Sequence, residues 1–166
     1  MDNAFYDRRG RQKFGGDVVP VRKKGYFAVL VKSGKVLLTY PSNTNVPEFP
    51  GGSMCRDEDF RQCLLRKLYE ETGIDFMLDK GEKQFHQVFN FFDETECAFG
   101  VFYIYDQTFI LYDASSYGFD STAEKWRTPE NSMAAWVSLE DIVSGKVKIN
   151  YAHWQAVKAL FLQKEA

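Results

Sequence analysis

Apolar and polar residues along this chain fall into short strand-like runs over most of its length and into a helical spacing at two places. Tyr26 to Val31 and Lys35 to Tyr40 are apolar, β-branched runs separated by Ser33-Gly34, which predicts a hairpin. A first, shorter strand is expected near Asp17 to Val21, and Tyr40 to Asn45 has the composition of a loop. Phe60, Leu64 and Leu68 recur at helical spacing and predict an inward apolar stripe on a helix over about Phe60 to Thr72. Asp59 stands at its N-cap with Gln62 three residues on, and Gly73 stands where the helix must stop.

Beyond that helix, Gln84 to Phe92 and Glu96 to Tyr105 read as two strands joined by the polar turn Asp93-Glu94-Thr95. Phe85, Phe89, Phe91, Phe92, Phe99, Phe102, Tyr103 and Tyr105 make them the aromatic part of the chain. Most of these belong to a core, and Phe92 is the candidate to stack on a nucleobase. The region from Asp106 to Met133 is poorly periodic, with a short strand at Thr108 to Tyr112 and a polar stretch from Asp113 to Ser132. Ala135 to Ile142 predicts a strand entering a helical turn. Tyr151 to Gln163 closes the chain with an amphipathic helix carrying Trp154, Val157, Leu160 and Phe161.

Composition narrows the class. With 166 residues, 45% of them apolar, and a net charge of −2, the chain has enough length for one globular domain over 1–166 with a proper core. It has no apolar run of membrane-spanning length and no signal-peptide pattern. Cys55, Cys63 and Cys97 are odd in number and lack metal-ligand spacing, which points to reduced thiols and a cytoplasmic protein, Cys63 being a packing residue. Residues 1–20 form a basic arm with the first strand. Arg8, Arg9, Arg11, Lys13, Arg22, Lys23 and Lys24 outnumber the nearby acids, but the overall charge argues against nucleic acid and for a solvated arm that helps steer an anionic substrate.

The chemistry is concentrated between Glu48 and Ile74. An extended segment and a Gly-Gly turn lead into a loop of acids, and the helix that follows sets Arg66, Lys67, Glu70 and Glu71 on one flank. Read alone, Arg66 and Glu70 are an ordinary i,i+4 surface pair. Their context says more. Gly52, Glu58, Arg66, Leu68, Glu70, Glu71, Gly73 and Ile74 match in register the pattern G-x5-E-x7-R-E-U-x-E-E-x-G-U, with Phe49-Pro50-Gly51 as its lead-in. The stretch thus resembles the Nudix box.

The resemblance implies an α/β fold, a Nudix-type α/β/α sandwich with a mixed β-sheet between helices, and a protein that can pair as a homodimer. It also implies a metal-dependent hydrolase of a nucleoside diphosphate linked to another moiety, in which water attacks phosphorus with the help of Mg²⁺ or Mn²⁺. Carried over to this chain, Glu70 and Glu71 bind the metal and Arg66 and Glu58 brace the loop against the helix. Gly51 and Gly52 let the backbone approach the metal, offering a carbonyl as a further ligand.

One position departs from the pattern: Lys67 stands where the family carries a glutamate that commonly ligates metal. An ammonium ~6 Å from a divalent ion at an effective dielectric of ~20 costs roughly 5 kcal/mol. Lys67 therefore swings away, or the site holds fewer ions, or the ammonium binds substrate phosphate or serves as counter-ion to the box carboxylates. The alternative function is a catalytically weak or inactive Nudix-like module that binds a nucleotide or a protein. Some family members draw a base from a later loop, which makes Glu130 the candidate and Glu124 the second choice, either of which can equally be an exposed loop acid. His86 and His153 are read as satisfied histidines rather than bases.

Overall fold

The computed structural model describes residues 4–78, 80–115 and 124–163. Of the polar stretch expected over 113–132, residues 116–123 lie outside the described residues, as does Asp2 of the basic arm.

Nine strands among the described residues form one mixed sheet. They are β1 (Ala4–Tyr6), β2 (Gln12–Phe14), β3 (Val21–Lys32), β4 (Lys35–Tyr40), β5 (Gly51–Ser53), β6 (Lys83–Asp93), β7 (Val101–Asp113), β8 (Lys125–Arg127) and β9 (Met133–Ser138). The spatial order is β2-β1-β6-β7-β3-β4-β9-β8, with β5 added to β3. β3 runs parallel to β7 and β1 parallel to β6, and the remaining pairs are antiparallel. The helices are α1 (Phe60–Thr72), α2 (Leu139–Val143) and α3 (Tyr151–Val157), the last running on into a π-helical turn over Lys158–Leu162. None of the described helices is long and apolar enough to cross a membrane.

The period of two in the strands divides the core. Phe27, Val29, Val36, Leu38, Tyr105 and Phe109 face one side, where Ile142 of α2 and Ala156, Val157 and Leu160 from the C-terminal helical segment cover them. Ala28, Leu30, Leu37, Ile110 and Tyr112 face the other side under Leu64 and Leu68 of α1. The result is the expected α/β/α sandwich.

α1 has its expected bounds because both caps form. The Asp59 carboxylate accepts from the Gln62 N–H at 2.8 Å, and the Gln62 side chain accepts from the Asp59 N–H at 2.9 Å. Gly73, at φ 77°, donates its N–H back to the Tyr69 carbonyl. Of the expected apolar stripe Leu64 and Leu68 are buried, joined by Cys63 and Thr72, while Phe60 is 47% exposed.

Three further expectations are corrected. The first strand does not lie at Asp17 to Val21: Val18 closes a turn onto Gly15, and β3 begins only at Val21 after Pro20, which has no N–H to offer a neighbour. The N-terminal arm is solvated only in part, for β1 pairs with β6 and Ala4, Phe5 and Asp7 are buried, while Arg9, Arg11 and Lys13 stay exposed. Finally, the second aromatic strand starts at Val101, because Cys97 (φ 59°) and Gly100 (φ 77°) prolong the turn, and it then runs unbroken through Asp113, absorbing the short strand expected at Thr108 to Tyr112.

The feature that makes room for a site is a splay in the sheet. β3 and β4 pair at the hairpin end, where Val31 faces Val36 and Lys32 faces Lys35, and then part company. Residues 48–53 fill the wedge. Glu48 exchanges both backbone hydrogen bonds with Thr39 of β4, the Pro50 carbonyl accepts from Ala28 of β3, and β5 continues along β3 opposite Gly25 to Phe27. What the sequence presented as a Gly-Gly turn is therefore a strand.

Candidate active site

Gly51 and Gly52 hold φ values of 144° and 152°, which side chains disfavour, and the space around them explains why none is present. A Cβ on Gly51 would lie 2.2 Å from the Tyr26 carbonyl oxygen, and one on Gly52 would lie 3.1 Å from Cε of Lys67. Through this bare backbone, side chains of α1 reach the pocket on the far face of the sheet. Glu71 accepts a hydrogen bond from the Gly51 N–H at 2.8 Å, and the Lys67 ammonium lies over Gly52.

The pocket has a volume of about 200 Å³. Glu48, Gly51, Gly52, Lys67 and Glu71 line one end, Arg8 and Lys23 also line it, and the rings of Phe27, Phe91, Tyr105 and His153 contribute apolar surface. Burial, and then the negative charge of Glu48, push the Glu71 carboxyl well above its ordinary range. Burial likewise raises Glu48, which accepts from the Asn150 amide at 3.0 Å. The attraction of Lys67 opposes the shift at both carboxyls.

The expected bracing pair is present in full geometry. Arg66 donates to both Glu58 oxygens, at 3.0 and 2.7 Å, and also to the Ser53 carbonyl at 3.3 Å, tying the loop after β5 to α1. Glu58 further accepts from the Cys55 N–H, and the Arg66 bonds together with that one hold its carboxyl down at about 2. Cys63 packs behind this loop fully buried, its thiol pushed up to about 11 by burial, which leaves it inert.

Other expected residues lie elsewhere. Glu70 is held by Arg66 at 3.3 Å and faces Lys67 at 3.8 Å, and it lines no part of the pocket. The Gly52 carbonyl accepts from the Cys63 thiol and is turned away from the pocket, whereas the Gly51 carbonyl shares the strand edge on which its N–H meets Glu71. Phe92 is corrected by strand parity: its ring packs on Phe102 on the opposite face, and its neighbour Phe91 lines the pocket. Glu130 is exposed in the β8–β9 turn, where Pro129 abuts Gly73 at the end of α1, and its charge raises the Glu71 carboxyl. Glu124 is ion-paired with Lys35. His86 is exposed and bonded to Asp106.

The sequence reading missed Glu48, Arg8 and Lys23 as pocket residues. Glu48 directly precedes the Phe49-Pro50-Gly51 lead-in, and that adjacency was the only signal it carried.

Whether these residues suit a divalent cation is a question of donor chemistry. No group of three or more Asp, Glu, His or Cys side chains among the described residues is arranged to hold a metal ion. Two carboxylates forced together, with a backbone carbonyl on the adjacent strand edge, are nevertheless an oxygen donor set suited to one Mg²⁺ or Mn²⁺ that completes its shell with water and substrate phosphate. By donor chemistry, Glu71, Glu48 and the Gly51 carbonyl are the residues that would hold such an ion.

His153 forms the pocket's inner wall. It is buried, and its Nδ1 accepts from the Phe49 N–H at 2.9 Å, so the ring is held neutral and its pKa falls to about 3, by burial first and then by the Arg8 charge. The unfolded chain regains protons at this ring below about 6.5, so the contribution of His153 to stability is present above that pH and lost as pH falls toward 3. The expected slope is up to about 1.4 kcal/mol per pH unit. Glu71 acts in the opposite sense, its raised carboxyl favouring the folded state as pH falls toward the ordinary carboxylate range. The difference in urea midpoint between wild type and His153→Gln, followed from pH 7.5 to 5, isolates the histidine: wild type should lose stability relative to the variant as pH falls, and parallel curves would contradict a neutral buried ring.

A NUDIX domain family model matches residues 19–160. No curated protein matches the chain. Among solved structures, a MutT protein from Methanosarcina mazei Go1 is 22% identical, with a TM-score of 0.55 over 85% of this chain and 93% of that one. A bifunctional NMN adenylyltransferase/ADP ribose pyrophosphatase from Francisella tularensis, complexed with AMP and a Mn ion, is 17% identical with a TM-score of 0.61 over 87% of this chain and 42% of its own. The NUDIX domain of Shewanella oneidensis NrtR, complexed with ADP ribose, is 16% identical with a TM-score of 0.50 over 86% of this chain and 87% of that one.

Proposed function

The chain belongs to the NUDIX domain family, and from that premise we propose that it is a pyrophosphohydrolase acting on a nucleoside diphosphate linked to another moiety. The observation that carries this reading is the pairing, in one pocket, of the half-buried carboxylates Glu48 and Glu71 with the cations Lys67, Lys23 and Arg8. Carboxylates hold a divalent ion, and cations hold the phosphates that the ion does not reach.

At about 200 Å³ the cavity is smaller than the roughly 300–1,000 Å³ of pockets that enclose a whole drug-sized ligand. It accommodates the diphosphate and leaves the nucleoside at the open side. Glu71, Glu48 and the Gly51 carbonyl would hold the ion, Mg²⁺ or Mn²⁺. When bound, that ion supplies Lewis-acid polarisation of a phosphoryl oxygen. Lys67, stationed over Gly52, screens the phosphate as charge builds on it. Arg66 and Glu58 keep β5 in register with α1 so that Gly51 and Glu71 stay together. Glu130, exposed and electrostatically coupled to Glu71, is the carboxylate that accepts a proton from the attacking water.

Release of nucleotide from ADP-ribose, nucleoside diphosphate sugars, dinucleotides and dinucleoside polyphosphates, each with Mg²⁺ and then Mn²⁺, tests this reading. Metal-dependent turnover of at least one class is expected. Binding without turnover by folded protein would instead support the second reading, a nucleotide-binding module. A specific observation favours that reading as well: Lys67 is drawn to both pocket carboxylates and so competes with the ion for them.

A further inference from the structure

Of the three pocket cations, Lys23 is the one that makes no ion pair among the described residues. Arg8 is committed, its guanidinium bonded to both Asp93 oxygens at 2.8 and 3.3 Å and reaching Glu94 at 3.4 Å. Lys67 pairs with Glu70. The Lys23 ammonium instead lies over the rings of Tyr103 at 4.0 Å, Tyr105 at 4.4 Å and Phe91 at 5.7 Å. Among the described residues no carboxylate comes within ion-pair distance of it. The nearby acids are engaged, Asp93 by Arg8 and Glu96 by the Tyr103 hydroxyl. Desolvation lowers its pKa, so its charge is held at a cost that a bound anion would offset.

Its position is fixed by register. Lys23, Gly25 and Phe27 share one face of β3, and Lys23 pairs with Tyr105 of β7. Gly52, beneath Lys67, pairs with Tyr26, three residues along β3 from Lys23. The backbone positions beneath the two lysines are thus about 10 Å apart along the strand, with both side chains lining the same pocket. With its diphosphate seated between Glu71 and Lys67, a ligand presents to Lys23 the group to which the diphosphate is joined.

We propose that Lys23, presented on the rings of Phe91, Tyr103 and Tyr105, binds a second anionic group on the ligand, a phosphate monoester or a carboxylate, beyond its diphosphate. This rests on the diphosphate reading above and narrows the substrate to nucleoside diphosphate derivatives that carry such a group. Uncharged sugars at that position would leave the lysine unpaired.

Two pairs of probes differ by one such group: NAD⁺ and NADP⁺ by a phosphate monoester, UDP-glucose and UDP-glucuronate by a carboxylate. Calorimetric titration of the whole chain should give about tenfold tighter binding of the charged member of at least one pair. The pair that responds tells phosphate from carboxylate. The preference should vanish in Lys23→Gln and persist in Lys23→Arg, whereas Lys67→Gln should weaken both members of a pair alike. Equal affinity within both pairs, or a preference that survives Lys23→Gln, overturns this inference and leaves the diphosphate reading standing. Binding of none of the four overturns this inference, and the diphosphate reading then stands or falls on the wider panel above.

Discussion

Glu71→Gln is expected to keep the fold and to lose metal-dependent turnover by at least about a hundredfold, since removing even an outer partner of a metal ligand costs 10–100-fold. The amide oxygen of glutamine can still accept the Gly51 N–H that Glu71 receives at 2.8 Å, so the wedge of β5 against β3 stays closed. What disappears is the negative charge. The neutral side chain also relieves the repulsion from Glu48, so the variant should be no less stable than wild type in urea and more stable at neutral pH, where the raised Glu71 carboxyl works against folding. Turnover within a fewfold of wild type, with unchanged Mn²⁺ affinity, would show that Glu71 is not the ligand.

Lys67→Glu should act on the same balance from the other side. In the folded chain Lys67 neutralises part of the charge of Glu48, Glu70 and Glu71. Reversing its sign adds a fourth carboxylate to that corner, so the metal-free variant should melt several degrees below wild type. Added Mg²⁺ should restore more than was lost, because a ligand that binds only the folded chain stabilises it in proportion to its affinity. Replacing a repulsion of roughly 5 kcal/mol by an attraction should tighten metal binding by tenfold or more and raise hydrolysis with it. If metal affinity and turnover both fall, the lysine is adapted to its place, and the hydrolase works with the ammonium as part of its phosphate site.

The parts of this site that could be read from the sequence are those carried by one helix. Asp59, Gln62 and Gly73 delimit α1 to the residue, since caps are local chemistry. The brace of Arg66 on Glu58 could be placed only through the resemblance of this stretch to the Nudix box, since spacing alone pairs Arg66 with Glu70. The residues that could not be read face the pocket from strands. Phe91 and Phe92 are adjacent and both apolar, so a period of two offers no choice between faces, and only pairing with Tyr103 and Phe102 decides it. Lys23 lies in a run of basic residues that looks like surface until β7 places Tyr103 and Tyr105, and β6 places Phe91, beneath it. β1 and β2 are three residues each, too short for any periodic signal. Glu48 has no helical neighbour to set its phase, and its position follows from the splay of β3 from β4.

The contacts that close the pocket join distant parts of the chain. Arg8 meets Asp93 across 85 residues, Asn150 meets Glu48 across 102, and His153 meets the Phe49 N–H across 104. Contacts of such span form late, after the local helices and hairpins, because the loops they close are long. A nascent chain that has passed Ile74 already carries every residue of the box, yet it lacks the pocket walls that Phe91, Tyr105, Gln107, Asn150, Ala152 and His153 supply. Ligand recognition is thus expected to arise only once these long-range contacts have closed, so that a box helix formed without them should not bind nucleotides.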